Sequence, residues 1–479
     1  MRTFNCGGKT SQKTDLSYAN AKLMSLNKEN KTWNAYTYCS CWIGMNVCIP
    51  AYQMASSAIA MGLSWSMALF LVTMGNIIVL IPLLLNADAG TRYGLSFPAQ
   101  AKATFGLCGA CFPIGLRTLI GAAWTGILIW MGAESLQVAM ELIFPIWSTF
   151  KYGSLSCFLV FWFLNISISL KGAEAFKKLE GIGAPILGVL CISLFVWGVH
   201  RIQSMGYSIM EPLLCLQTVD GIDKKQMAIA LLIANISYYS TWAVNASDLS
   251  RYATSPKAHN KGTAMGLPLS MMFIAFLGIY ITGVTKLVFG SPMWDPNDIV
   301  RAIGNKWGGL IVAVAVLLAT LTTNVTTNIL PPANGIVGLF PKVLNYKGGV
   351  VITGIFAIVI RPWALVNDPS GYIFSWLNIY GLFTGSIASI LICDYYVIKN
   401  KQIKTEDLCT KEASQYWYWK GFNVKAIAAW LLSTLPLAIG LFAGIKNTQN
   451  YGWIFSFVAG FVIYLALNTD VWREKICKL

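Results

Sequence analysis

The chain has 479 residues, of which 56% are hydrophobic and only 11% charged, and its mean hydropathy is +0.59. A soluble protein of this length carries about 25% charged residues, so a sizeable soluble domain is excluded. The formal charge of +15 does not mark a nucleic-acid binder: with twelve spans and a cytoplasmic N-terminus, roughly 25 basic residues fall on the cytoplasmic side and about 9 outside, a positive-inside distribution that leaves no basic stripe.

Apolar runs of about 20 residues recur along the whole length, enough to cross a bilayer each time. They predict an all-α, multi-pass protein of the cell membrane, plasma or bacterial inner. Residues 1–32 are polar and Lys-rich without an apolar core, and read as a cytoplasmic tail rather than a signal peptide. A transport core is expected over 33–400, a cytoplasmic loop over 401–425, two further spans over 426–468 and a cytoplasmic tail over 469–479. The twelve cysteines lie mostly within spans and read as small buried hydrophobes. The two histidines, His200 and His259, have no Cys or carboxylate at ligand spacing. No metal centre, haem or other cofactor is expected, and no His/Asp/Glu constellation points to an enzyme.

Span 1, about Asn34 to Ala60, carries Gly44, Asn46 and Pro50 at mid-membrane. Proline removes a backbone donor, and broken backbone at that depth is tolerated only in protein or beside a cavity. Span 2 runs from about Trp65 to Leu85, followed by a polar loop, Asn86 to Tyr93. Gly94 to Phe112 reads as a re-entrant or interfacial lead-in to span 3, about Ile114 to Leu142, with Arg117, Trp124 and Glu134. Charge at that depth should face protein or lie near an interface. Span 4 is about Ser154 to Leu170 and span 5 about Ile182 to Val199, with Lys171, Lys177 and Lys178 in the loop between them. Span 6, about Met227 to Val244, turns polar and aromatic in its second half, and span 7 is about Gly266 to Phe289. Span 8 runs from about Leu310 to Pro332 and ends in A-T-L-T-T-N-V-T-T-N, Ala319 to Asn328. Spans 9 to 12 are about Gly348 to Ile360, Tyr372 to Ile398, Ala426 to Ile445 and Tyr451 to Leu467.

The polar run is the feature that needs explaining, since each unpaired polar group in hydrocarbon costs several kcal/mol, roughly. At about 100° per residue, Ala319, Thr322, Thr323 and Thr326 share one helical face, and Asn324 and Asn328 another. Hydroxyls beside broken-helix carbonyls suit an alkali cation. A carboxamide, with donors and an acceptor, suits the edge of a flat heterocycle, on which Trp124 and Tyr239 could stack. Interhelical hydrogen bonding is the plainer use of the same groups. Interrupted helices five spans apart, in spans 1 and 6, are the pattern of an inverted-repeat transporter with a midplane site.

Five segments together resemble the nucleobase–cation symport-1 family: W-I-G-M-N-V at Trp42, W-T-G-I-L-I-W at Trp124, N-A-S-D-L-S-R-Y at Asn245, T-T-N-V-T-T-N at Thr322 and D-Y-Y-V at Asp394. The resemblance covers about Lys31 to Lys404. It implies a leucine-transporter-type fold, with a five-plus-five inverted repeat, broken helices 1 and 6, and two added C-terminal helices. It implies a Na⁺ position at the carbonyls of Gly44, Val47 and Ala319 and the hydroxyls of Thr322 and Thr323. It also implies a substrate position at Trp124, an aromatic of span 6 (Tyr239, preceded by Tyr238) and Asn328, with Asn324 beside it. Leu128 and Cys48 stand where relatives carry glutamines, so hydantoin specificity does not transfer; Ser386 stands where the family has proline in span 10, which bears on the gating of that helix. The expected activity is cation-coupled symport of a nucleobase-like heterocycle (cytosine, uracil, purine, allantoin, hydantoin or thiamine class). Na⁺ is expected over H⁺, because the site so drawn contains no carboxylate, histidine or lysine.

Overall fold

A computed structural model describes residues 26–60, 62–216, 223–302, 306–365, 376–408, 414–445 and 448–469. The greater part of both expected tails, residues 409–413 of the expected cytoplasmic loop and the expected start of span 10 at Tyr372 lie outside the described residues. The fold is all-helical. In chain order the helices are α1 (Ala35–Asn46), α2 (Ile49–Ala60), α3 (Trp65–Tyr93), α4 (Phe97–Phe105), α5 (Cys111–Ile143), α6 (Gly153–Ser169) and α7 (Ala173–Ser204). Then follow α8 (Glu211–Leu214), α9 (Lys224–Asn245), α10 (Ser247–Ser250), α11 (Pro256–Phe289), α12 (Pro296–Ala302) and α13 (Lys306–Thr323). A π-helical stretch, Asn324–Ile329, joins α13 to α14 (Leu330–Leu339). The chain continues through α15 (Tyr346–Val359), α16 (Pro362–Leu365), α17 (Leu377–Ile392), a second π stretch (Cys393–Ile398), α18 (Val424–Phe442) and α19 (Thr448–Leu467).

Span 1 is the pair α1 and α2, and span 8 is α13, the π stretch and α14. Spans 2 to 7 are α3, α5, α6, α7, α9 and α11, and spans 9 to 12 are α15, α17, α18 and α19. Local chemistry sets several ends. The Asn34 side chain accepts from Thr37 N at 2.9 Å to start α1, and Asn345 does the same for Gly348 at the head of α15. Gly94 and Gly290 stop α3 and α11 in the left-handed conformation, where a Cβ would be strained.

The packing has an exchange symmetry between the halves. Span 1 packs on span 7 as span 6 packs on span 2, and span 1 packs on span 5 as span 6 packs on span 10. Spans 2 and 7 meet each other, as do spans 3 and 8. A short helix precedes the third span of each half, α4 before α5 and α12 before α13. Spans 11 and 12 lie outside this repeat, against span 10.

Several boundaries differ from the sequence reading. The polar stretch Asn86 to Tyr93 is no loop. It extends α3, because its polar groups have partners: Asn86 Nδ2 donates to the carbonyls of Ala243 (2.7 Å) and Ala388 (3.2 Å), and Arg92 pairs with Asp88 at 2.7 Å. The lead-in to span 3 contains a fully buried helix, α4. Span 5 starts at Ala173, so Lys177 and Lys178 are helical rather than in a loop. Span 6 runs unbroken to Asn245, and its interruption falls at Ala246, after the polar run. Cys108 and Cys111, in C-x-x-C spacing, are half-buried and exposed, against the expectation of burial.

Small residues permit close helix crossings. A Cβ on Gly262 of α11 would meet Tyr38 Cβ at 2.6 Å and overlap the Ala35 carbonyl of α1. Gly262→Ala is therefore expected to destabilise the protein by about 1–3 kcal/mol. Gly188→Ala, with nothing within 4 Å of the added carbon, should not, and thermal unfolding of the two variants in detergent makes the comparison.

Candidate functional site

The break in span 1 is an inverse γ-turn. Val47 has φ −77° and ψ 82°, and the N–H of Cys48 donates to the Asn46 carbonyl at 2.9 Å. Pro50 does not break the span where it stands. It is the second residue of α2, where a missing N–H costs no helical bond. Opposite this turn, Thr323 Oγ donates to the carbonyls of Gly44 (3.1 Å) and Met45 (3.3 Å). Val47 and Ala319 line one cavity of about 250 Å³, together with Cys48, Leu187 and Cys191. Thr322 Oγ donates to the carbonyl of Ala319 at 3.0 Å, within its own helix. The five residues expected to hold a cation thus gather at one junction of spans 1, 5 and 8.

That junction also contains a carboxyl group that the sequence reading did not single out. Glu180 of α7 is 1% exposed. Its Oε1 accepts from Thr326 Oγ at 2.8 Å, while Oε2 packs against Gly44 in the space a Cβ would occupy. The expectation of no nearby carboxylate is therefore corrected. Glu180 lies two turns inside α7, but the run Lys177-Lys178-Leu179-Glu180 reads as a charged loop. The three charged residues of that run obscured a helix start at Ala173.

The aromatic residues divide differently from expectation. Tyr238, not Tyr239, faces Trp124: the rings meet edge to face with centroids 5.6 Å apart. The Tyr238 hydroxyl lies 3.3 Å from Cys48 Sγ. Tyr239 points into the contact of spans 1 and 7, where its hydroxyl donates to Asn46 Oδ1 and approaches Met271 Sδ at 3.1 Å. Neighbouring residues on a helix point about 100° apart, so a choice between two adjacent tyrosines depends on the exact rotation of the helix. Leu128 is buried, one turn beyond Trp124. Asn324 is turned away from this group: its Nδ2 donates to Asn165 Oδ1 (3.0 Å) on span 4 and to the Thr125 carbonyl (3.3 Å). Asn328 Nδ2 reaches Asn324 Oδ1 at 3.3 Å.

Comparison with known proteins agrees with this architecture. Residues 25–463 match the family described as permease for cytosine/purines, uracil, thiamine, allantoin. The chain belongs to this family. It is 32% identical to a purine-uracil permease of Arabidopsis thaliana over 476 residues, covering 95% of this chain and 78% of that one. It is 28% identical to an allantoin permease of Bacillus subtilis, covering 96% and 95%. Among solved structures, it resembles a nucleobase-cation-symport-1 family transporter in a closed conformation with bromovinylhydantoin bound, with TM-score 0.81, 19% identity and coverage of 96% and 97%. That likeness establishes the leucine-transporter-type fold. The chain is a permease and not an enzyme.

The permease owes the π stretch in span 8 to its own prolines. In an α-helix the carbonyls of Thr327 and Asn328 would accept from residues 331 and 332, and both are proline. Span 3 supplies the missing donors. Arg117 Nη2 lies 3.4 Å from the Thr327 carbonyl, and Thr125 Oγ donates to the Asn328 carbonyl at 2.6 Å. Arg117 Nε also donates to Asn245 Oδ1 at 2.9 Å, and Asn245 Nδ2 reaches Asp248 Oδ2 at 3.3 Å. The buried cation expected to face protein is thus tied to a buried carboxylate through one amide. Glu134, a second charged residue of span 3, is only partly buried. Nothing in the family motifs marks Thr125 or Arg117 as backbone partners. The Pro331-Pro332 pair is the signal that a donor must come from outside the helix.

Thr125→Val keeps the shape but removes this donor, and is expected to destabilise the permease by about 1–2 kcal/mol. Thr125→Ser restores the bond. Unfolding midpoints of the two variants, measured side by side, test the assignment.

Proposed function

We propose that this permease imports a nucleobase-like nitrogen heterocycle across the cell membrane together with Na⁺, by alternating access, with both termini cytoplasmic. The observation that carries the reading is the position of span 8. Through Thr323 it holds the carbonyls of the span 1 break. Five residues later, Asn328 is held by the span 3 residue next to Trp124. One helix therefore joins an oxygen-rich ion cradle to an aromatic, amide-edged ligand site.

In this reading the cradle is the carbonyls of Gly44, Val47 and Ala319 with the hydroxyls of Thr322 and Thr323. The heterocycle stacks on Trp124 and Tyr238 and bonds the Asn328 carboxamide. Asn324 holds Asn328 in place rather than touching the ligand, and Tyr239 fixes span 6 to span 1. Leu128 and Cys48 leave one edge of the site weakly polar. That edge suits a ring with fewer hydrogen-bonding groups there than hydantoin, since a required bond left unmade discriminates strongly. The relatives are named for purine, uracil and allantoin, and the same class of flat amide-like rings fits here.

Na⁺ entering down a potential of −100 mV supplies about 2.3 kcal/mol per charge, roughly fifty-fold accumulation before any ion gradient is counted. Coupling follows because an ordered ion fixes the helix that presents Asn328. By reciprocity, substrate tightens Na⁺ binding by the same factor.

Thr323→Ala is expected to abolish the sodium dependence of substrate affinity, read by tryptophan fluorescence of the purified protein with and without Na⁺. An unchanged dependence would sink the ion assignment. Tyr238→Ala is expected to weaken substrate binding by about 1–3 kcal/mol, the range for one stacked base. Tyr239→Phe, which keeps both rings at the site, should weaken it far less.

A further inference from the structure

Spans 4, 5 and 8 leave a groove of about 480 Å³ between them. Its wall on span 5 is one face of α7, where Ala175, Lys178, Leu179, Ile182, Gly183 and Ile186 recur at intervals of three and four residues. At 1.5 Å per residue this stripe is about 16 Å long. The hydrocarbon of one leaflet is about 15 Å deep, half of a core of roughly 30 Å. The groove is therefore about as long as one leaflet is deep. It opens away from the protein, since Ile182 is 67% and Ile186 43% exposed. Span 4 adds Ile168 and Lys171, and span 8 adds Leu318.

The polarity of the groove is one-ended. Lys171 lies just beyond the end of α6, and Lys178 in the second turn of α7. Every other lining residue is apolar. Both lysines are exposed, and neither side chain has a hydrogen-bond or ion-pair partner among the described residues. Lys177, beside them, is directed instead to Thr32 Oγ at 3.3 Å. That bond puts the basic end of the groove on the membrane face where α1 begins. The segment 171–178 contains three lysines and one glutamate.

Two cations at the head of an apolar channel of leaflet depth match one kind of molecule. A small anion in water would pair with the lysines and leave the apolar stripe unfilled. A zwitterionic lipid would fill the stripe and leave a cation without a counter-charge. An acyl chain under a net negative headgroup satisfies both ends. We propose that the groove binds one anionic phospholipid of the leaflet on the Thr32 side, with its phosphate between Lys171 and Lys178 and one acyl chain along α7 to Leu318. The chain then backs the contact of spans 5 and 8 from the bilayer side. Leu318 precedes Ala319, and Gly183 faces Thr322, whose methyl group would be 3.0 Å from an added Cβ. The proposal is independent of which ion or heterocycle the permease carries.

The experiment uses the full-length purified protein in a neutral detergent. Native mass spectrometry gives the dissociation constant of the first bound lipid, for phosphatidylglycerol and phosphatidylcholine with the same palmitoyl and oleoyl chains. At about fivefold per lysine, phosphatidylglycerol should bind about twentyfold tighter. Lys171→Gln with Lys178→Gln should bring it down to the level of phosphatidylcholine. Lys224→Gln with Lys225→Gln removes the same charge from exposed lysines at the head of α9, and should keep the native preference. Ile182→Trp narrows the groove and should weaken both lipids, about fivefold or more. Excess inorganic phosphate should not displace the lipid. The proposal is overturned if the two lipids bind the native protein alike, if the Lys171/Lys178 variant keeps the native preference, or if Ile182→Trp binds both as before. Displacement by phosphate would make this a site for a small anion and overturn it as well. Should the double variant not fold, Lys171→Gln and Lys178→Gln are measured singly. A loss of about fivefold in each supports the lipid site, and no loss in either overturns it.

Discussion

Backbone carbonyls that their own helices cannot satisfy hold the transport core together. At lipid depth water is not available to repair them, so each must find a donor inside the protein. The γ-turn at Val47 gives Asn46 its donor from Cys48, while Gly44 and Met45 share the hydroxyl of Thr323. In span 8 the prolines at 331 and 332 strip Thr327 and Asn328 of helical donors, and Arg117 and Thr125 of span 3 replace them. Spans 1, 3 and 8 are thereby fixed to one another by main-chain groups.

The exchange symmetry of the packing gives this arrangement its setting. Spans 1 and 6 each lean on a span of the other half, 7 and 2, and each has a fifth span of its own half beside it, 5 and 10. Span 5 carries Glu180 to the span 1 break, while span 10 faces span 6 with Thr384, whose hydroxyl meets that of Ser240 at 2.7 Å. The two halves have a common frame but different chemistry at corresponding contacts. A carboxyl group enters on one side and hydroxyls on the other.

Much of this was legible in the sequence because it depended on composition and on rare residues. The break in span 1, the polar run in span 8 and the order of the motifs all rest on glycine, proline, asparagine and threonine in places where lipid forbids them. The helix ends were less legible. Asn86, Asp88 and Arg92 look like a loop until Asn86 is seen donating to two carbonyls from spans 6 and 10. The same misreading hid Glu180. Its lysine neighbours are polar on the surface of α7, and nothing in one dimension says which side of the helix the glutamate takes. The two tyrosines of span 6 show a related limit. Periodicity gives faces to within about a residue, and Tyr238 and Tyr239 differ by one. The π stretch adds to this, since a wider turn shifts the phase of every residue after it, and Asn324 and Asn328 sit inside it.

Gly44 and Glu180 occupy each other's space: the carboxyl fills the volume that any side chain at position 44 would need. A side chain at position 44 and the Glu180 carboxyl in its present position exclude each other. A relative that carries a side chain at the position of Gly44 has to shorten or redirect the residue facing it from span 5, and one that keeps the glutamate has to keep the glycine. A change at one position is therefore expected to require a change at the other.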